Sequence, residues 1–353
     1  MINKKIQYYY IATALVLATY GLWKLNHHTS APFQTKLSNT EKIKVESLLK
    51  NLRTRCIGRF LVDLPASYAV AENSSEVINE SKIITNRMYP PSFEQLVHLR
   101  EQELLATKTI GPEDMPYLKK SYPLPQGLNG IIFERVNSPG TPDAFRMLEA
   151  HLYSNGVAIK IEVEAKNGSA TRYDAARINA PNSYKNNVSE TLSKLNDLLL
   201  RIQGRAENEI PITPGTCIQN AFIADNGKDK EEIDVLFKGD NDSQIRFGIS
   251  TDNFTREKDS LLERSNDILA NLLSSNGSVF RKGARKINQL DIEELLAAGD
   301  YSSSGNKRYD FIMLTNEKTG SYKTPVFSLE LLNEEWIPSP YNQDEIVSFW
   351  DAI

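Results

Sequence analysis

The stretch that most constrains this chain is the dipeptide Asn155-Gly156, set between two runs of alternating residues. A two-residue hairpin turn needs positive φ at both central positions, which Asn and Gly adopt at the lowest cost. After the turn, Val157, Ile159, Ile161 and Val163 alternate with Ala158, Lys160, Glu162 and Glu164. Before it, Leu148, Ala150 and Leu152 share one face of Phe145–Tyr153. This predicts an antiparallel hairpin with one apolar face buried and one polar face in water.

Other elements read outward from that hairpin. Val45, Leu48, Leu49 and Leu52 sit at helical spacing after Ser38. Cys56 to Pro65 reads as one extended run stopped by the proline. Ser92-Phe-Glu-Gln95 has the form of a capping box opening a helix through about Ala106, residues 111–130 read as loop, and Ile131–Val136 as a strand. Val188, Leu192, Leu195 and Leu199 form a helical stripe with Asn187 as N-cap and Glu190 completing a box. Further on, Cys217 opens an extended run, and Ile233, Val235 and Phe237 pair with Ile245, Phe247 and Ile249. A long helix carries Phe254, Leu261, Ile268, Leu269 and Leu272, a short one covers Ile292–Ala298, and a last hairpin joins Tyr309–Leu314 to Val326–Leu331.

Between the two series lies 204–216, with two prolines, two glycines and few large apolar residues. The predicted fold class is α+β: two lobes of antiparallel sheet packed on helices, over 40–205 and 211–353, after an N-terminal membrane anchor helix. A chain of 353 residues suits two cores better than one.

Lys4 and Lys5 precede Ile6–Trp23, eighteen residues without a charge, and Tyr8, Tyr9, Tyr10 and Trp23 lie at its ends. At about 1.5 Å per residue this run spans about 27 Å, close to a bilayer core. Residues 1–24 therefore read as a signal anchor and 25–39 as a tether, with the body exported to the periplasm and held at the inner membrane through residues 6–23. Tyr20-Gly21-Leu22-Trp23 is a poor cleavage site, so an uncleaved anchor is preferred to a cleaved signal peptide. Residues 25–353 hold 38 of the 41 Lys and Arg and all 45 acids, a net charge of −7. With no basic stripe, the chain is not read as a nucleic-acid binder.

No catalytic set stands out. There is no Gly-x-Ser-x-Gly elbow and no phosphate-binding glycine loop; Gly299, Gly305 and Lys307 have the wrong spacing. His98 and His151 read as structural or surface residues, Asp240-Asn241-Asp242 as a polar turn rather than a calcium loop, and Glu162 and Glu164 as a solvated strand face rather than a hydrolytic pair. Two readings of the only cysteines, Cys56 and Cys217, stay open. They bridge the lobes, closing a loop worth about 5 kcal/mol at most in chain entropy, or they are two small buried residues that never meet.

The run Arg55-Cys-Ile-Gly-Arg-Phe-Leu-Val-Asp-Leu-Pro65 resembles the opening motif of the immunity proteins cognate to the fourth class of type VI secretion lipase effectors. Gly215-Thr-Cys217-Ile resembles the opening of that family's second domain, and Trp350 its C-terminal tryptophan. Gln219-Asn220 departs from the expected small or glycine-containing turn. The resemblance makes Cys56, Gly58, Arg59, Pro65 and Cys217 structural motif residues. It implies a periplasmic, membrane-tethered protein without enzymatic activity, metal or cofactor, which binds a phospholipase effector between two lobes and occludes its cap and active-site entrance. Loop aromatics Tyr89, Tyr117, Tyr122 and Trp336 are candidate contacts. The alternatives from other classes are an envelope scaffold or lipid-binding protein and a tethered hydrolase.

Overall fold

The computed structural model describes residues 36–353 except 73, 240–243, 274–275, 301–306, 316–317 and 334–338. The expected anchor, most of the tether, the Asp240–Asp242 turn and Trp336 lie outside the described residues. Among the described residues no helix is long and apolar enough to cross a membrane.

In chain order the elements are α1 (Asn39–Leu48), β1 (Leu52–Ile57), β2 (Phe60–Pro65), β3 (Ala69–Val70), β4 (Ser75–Ile78), β5 (Ser81–Arg87), α2 (Pro90–Ala106), β6 (Leu118–Pro123), β7 (Asn129–Val136), β8 (Phe145–Ser154), β9 (Val157–Lys166), α3 (Asp174–Asn179) and α4 (Val188–Arg201). The second half holds β10 (Ile202–Gly204), β11 (Gly215–Ile218), β12 (Ala221–Ala224), β13 (Glu231–Lys238), β14 (Ile245–Asp252), α5 (Ser265–Leu273), β15 (Ser278–Ile287), β16 (Leu290–Asp300), β17 (Lys307–Thr315), β18 (Val326–Asn333) and α6 (Gln343–Trp350).

The protein is a set of antiparallel sheets with helices packed on them, and the largest sheet crosses from one half of the chain to the other. Its strands run β15-β16-β17-β18-β14-β13-β4-β5-β9-β8-β7-β6, with β3 also on β13. The crossing is made at β13, where Glu231–Asp234 pair with Ser75–Ile78 and Phe237–Lys238 with Ala69–Val70. The two lobes thus share one sheet rather than each owning a separate one.

The β8–β9 hairpin forms as its alternation dictates. Asn155 and Gly156 have φ of 50° and 78°, and ten residue pairs run from Ser154↔Val157 to Phe145↔Lys166. Leu148, Ala150, Ile159 and Ile161 are fully buried, on the face that α4 covers. The other face is open to water only in part, Glu164 being exposed and Lys160 and Glu162 half-buried. α2 lies across β7 and β8, so Glu149 and His151 are buried too.

Several elements differ from the sequence expectation. α2 starts at Pro90 with Tyr89 as N-cap and no side-chain cap, so Ser92–Gln95 is not its capping box; proline fits the first turn because its missing N–H would lack a helical partner there. Asn187 caps α4 only with its backbone geometry, its side chain accepting instead from the Lys166 N–H at 2.7 Å. Leu52 belongs to β1, because Asn51 at φ 59° breaks the helical path after α1. Residues 111–130 contain β6 as well as loop. Of the long second-half helix only α5 is helical: Asp252 Oδ1 accepts from Phe254 N and Thr255 N in a turn. Ile292–Ala298 is strand, held between β15 and β17, so pairing on both sides overrides its helical propensity. The strands β3, β4, β5, β10 and β15 and the helices α3 and α6 are not anticipated by the sequence. α6 buries Phe349 and Trp350 in the main core.

Candidate functional site

The motif residues converge where the two halves meet. Cys56–Pro65 is a hairpin, not one strand: β1 and β2 pair from Leu52↔Pro65 to Ile57↔Phe60, leaving Gly58-Arg59 as the turn. Gly58 has φ +56°, and a Cβ there would lie 2.4 Å from Thr251 Cγ2. Both facts require glycine. Pro65 ends β2, and its carbonyl accepts from Tyr68 N at 3.1 Å. The second motif is likewise a hairpin, β11–β12, pairing Ile218 with Ala221. Its turn is Gln219-Asn220, and Asn220 at φ 54° supplies the positive φ expected of a glycine.

The hairpins are joined side by side. Gly58 N donates to Cys217 O and Cys217 N to Gly58 O, each at 2.8 Å. Cys56 and Cys217 form a disulfide, with Cα atoms 5.6 Å apart across 161 positions. The bridging reading therefore stands and the separate-cysteine reading falls.

Arg59, Arg205 and Glu76 are among the side chains that fasten this junction, and Thr85 and Arg87 add bonds to the Gln219-Asn220 turn. Arg59 leaves the first hairpin and pairs with Asp225 and Glu231 of the second half. Although burial pulls its guanidinium down, hydrogen bonds to Glu231 and Asp225 hold it above its ordinary range. Arg205, buried, donates to the carbonyls of Cys56 and Ile218 at 3.1 and 3.3 Å and of Ala221 at 3.1 Å. Glu76, on β4, accepts from Gln219 N at 2.5 Å. Burial pushes its carboxyl up to about 7.

Beside this junction opens a groove of about 790 Å3. Its walls are Gly58–Leu61 of the first half, the loop residues Ile210, Pro211 and Thr213–Gly215, and Leu290 with Tyr322–Pro325 of the second half. Leu61 is 58% exposed, so a large aliphatic side chain faces solvent beside the groove. The Arg59 guanidinium lies 5.8 Å from the Tyr322 ring centroid, linking opposite walls. The lining mixes apolar side chains with Arg59, Asp225 and Lys323, so the groove offers apolar and charged contacts together, as a macromolecular interface does.

The buried charges under α2 do different work. Glu149 accepts from Arg100 Nε and Nη2, each at 2.8 Å, from Arg135 Nε at 2.7 Å, and lies 2.8 Å from His151 Nε2. Burial alone would raise its carboxyl; the bonds from Arg100, His151 and Arg135 hold it well below the usual carboxylate range. A carboxylate so occupied is a poor general base. Glu162 is tied to Arg135 at 2.7 Å and Lys160 at 3.0 Å, and exposed Glu164 accepts from Asn137 Nδ2 at 3.2 Å. His98 contacts Gln102 at 3.0 Å on α2. Among the described residues no three metal-ligating side chains gather. Of the candidate aromatics, Tyr89 is 82% exposed, Tyr117 is buried in a core cluster and is no free contact, and Tyr122 donates to Glu134 at 2.7 Å. Arg205 and Glu76 are absent from the sequence reading; neither lies in a local pattern that marks it.

Comparison with known proteins matches residues 53–205 to the Tle cognate immunity protein 4 N-terminal domain and residues 209–353 to its C-terminal domain. The fold is similar to the apo structure of immunity protein TplEi of the T6SS from Pseudomonas aeruginosa, with TM-score 0.67 and 22% identity over 86% of this chain and 95% of that one. It is similar to a chain in the crystal structure of the Tle4-Tli4 complex, with TM-score 0.68 and 22% identity over 86% and 95% of the two chains. No curated protein sequence matches.

Proposed function

The chain belongs to the Tle cognate immunity protein 4 family, and from that premise we propose that it is a periplasmic immunity protein, tethered to the inner membrane through residues 6–23, which binds a type VI secretion phospholipase effector and blocks it by occupying the approach to its active site. One observation carries the reading: the motif residues of both family domains build a single groove, so the binding surface exists only where the halves are joined. The Cys56–Cys217 disulfide supports an oxidising compartment, and the Lys4-Lys5 charge before Ile6–Trp23 supports export of the body beyond that run. A fold similar to this one occurs in the Tle4-Tli4 complex. Inhibition by occlusion asks for no catalytic group, only a complementary surface with a few desolvated anchors.

The test is co-expression of the exported full chain with the phospholipase encoded beside it, delivered to the periplasm, together with pull-down and lipid-hydrolysis assays on residues 25–353. Protection and inhibition at equimolar ratio are expected. Absence of both would return the envelope-scaffold or lipid-binding alternative. Protection by a version retained in the cytoplasm, with none by the exported one, would refute the compartment.

A further inference from the structure

The loop 206–214, which joins the family domains and opens the second, is pinned by the Arg205 guanidinium together with bonds at Glu209 and Pro214. Arg205 Nη1 donates to the carbonyls of Ala206, Glu207 and Glu209 at 3.1, 3.2 and 3.0 Å. Glu209 closes the turn on itself: its N–H donates to Ala206 O at 3.0 Å, and its carboxylate accepts from Ala206 N at 3.3 Å. At the far end Asp225 N donates to Pro214 O at 3.1 Å. Pro211 and Pro214 fix φ between these clamps. Ile210, Pro211, Thr213 and Pro214 line the groove, whereas Ile212 is 99% exposed.

A single exposed isoleucine is ordinary on a protein surface. Ile212 differs because hydrogen bonds pin the loop on both sides of it, at Glu209 and at Pro214, and because its neighbours Pro211 and Thr213 line the groove. A side chain on a pre-ordered backbone loses little freedom on binding, which leaves more of its contact energy as affinity. Glu207 and Glu209 are exposed on the same loop, and residues 25–353 carry a net charge of −7. The complementary surface is therefore an apolar patch rimmed by cations.

We propose that residues 206–214 form a preformed recognition loop for the effector, with Ile212 as the anchor that enters an apolar, cation-rimmed patch and Arg205 as the positioning residue that shapes the loop. This rests on the effector-binding reading and adds to it the residues that set affinity.

The experiment measures binding of residues 25–353 and its variants to the phospholipase encoded beside the gene, by titration calorimetry. Ile212→Asp is expected to weaken binding about 30-fold or more, the range of an interface anchor, at an unchanged melting temperature because Ile212 buries no surface in its own chain. Ile212→Leu should stay within about threefold of wild type, since only shape changes. Arg205→Met should weaken binding, accelerate amide exchange across 206–214, and add nothing to the loss in an Ile212→Asp background. If Arg205→Met does not fold, Ile212→Asp decides. Equal binding by wild type and Ile212→Asp overturns the loop proposal alone. No binding by wild type overturns it together with the effector reading.

Discussion

Gly58 and Cys217 exchange backbone hydrogen bonds in both directions, at 2.8 Å each, although 158 residues lie between them in the chain. The disulfide from Cys56 to Cys217 closes beside this pair, so hydrogen bonds and a covalent link fix one contact. Replacing both cysteines by serine should leave a folded protein, because the Gly58–Cys217 backbone bonds, Arg59 and Arg205 still hold the junction. It should lose up to about 5 kcal/mol, the chain entropy of so long a loop. Urea unfolding with and without reductant measures it; identical midpoints for wild type would show that the link constrains nothing.

Gly58→Ala tests the same junction sterically. The substituent would meet Thr251 Cγ2, a short buried branch with little freedom to move, on a backbone with φ +56°. A loss of about 1–3 kcal/mol is expected from strain of this kind. Gly156→Ala also sits at positive φ, 78°, but a Cβ there meets nothing within 4 Å. It should cost less, and an equal cost at both sites would contradict the steric account.

Glu76 gives the junction a pH dependence. Burial raises its carboxyl from near 4.5 to about 7, so between those values the folded state binds a proton that the unfolded state has released. Stability from this group is therefore greatest below about pH 4.5 and falls as pH rises towards 7, by at most about 3 kcal/mol. Glu76→Gln keeps an acceptor for Gln219 N–H without the charge. It should be more stable than wild type above pH 7 and flatter from pH 5 to 8 in thermal melts. A variant that keeps the wild-type slope would assign the dependence elsewhere.

The sequence discloses whatever depends on neighbours in the chain. The Asn155-Gly156 turn, the alternation of β9 and the stripe of α4 are local patterns, and each forms. Ile292–Ala298 reads as helix because its Glu, Leu and Ala favour one, while β15 and β17 decide otherwise by pairing on both sides. The motif Cys56–Pro65 is legible, but it reads as one strand, since Gly58 carries no mark of the Thr251 side chain that crowds it. His151 reads as a structural or surface residue and Glu149 carries no signal of its own, because α2, which covers them, is apolar on several sides: Phe93 and Leu104 are buried, yet Leu99 and Leu105 are exposed. Arg205 is invisible for a related reason. Its acceptors are backbone carbonyls scattered from Cys56 to Ala221, and no residue type announces a carbonyl.

Glu149 is fully buried beneath α2 between two guanidinium groups. Removing its charge leaves the guanidinium groups of Arg100 and Arg135 against α2 with their shared partner gone. Arg100 keeps Glu103 and Arg135 keeps Glu162, so Glu149→Ala should cost about 1–3 kcal/mol, the range for lost buried hydrogen bonds rather than for an unpaired charge. A triple variant replacing Glu149, Arg100 and Arg135 by apolar residues should recover part of that loss. Urea midpoints of the set decide it; a harmless Glu149→Ala would mean that water reaches the site.

Separating the halves is the sharpest test of the shared sheet. Cutting the linker would leave β4 without β13 along Ser75–Ile78, and β13 without β4 and β3. Ile78 and Ile233, both fully buried at this seam, would then lie on open edges, which pair readily with other chains. The first half would also lose the partner of Cys56, and the second the guanidinium between Asp225 and Glu231. Residues 36–205 and 209–353 expressed alone are therefore expected to aggregate, and co-expressed to recover one soluble complex by size-exclusion chromatography. Because the groove takes walls from both halves, only that complex should bind the effector, and more weakly than the joined chain because the linker no longer supplies effective concentration. Two soluble, monomeric halves with dispersed NMR spectra would show that each lobe folds on its own and that the seam between β4 and β13 is a docking contact rather than part of one core.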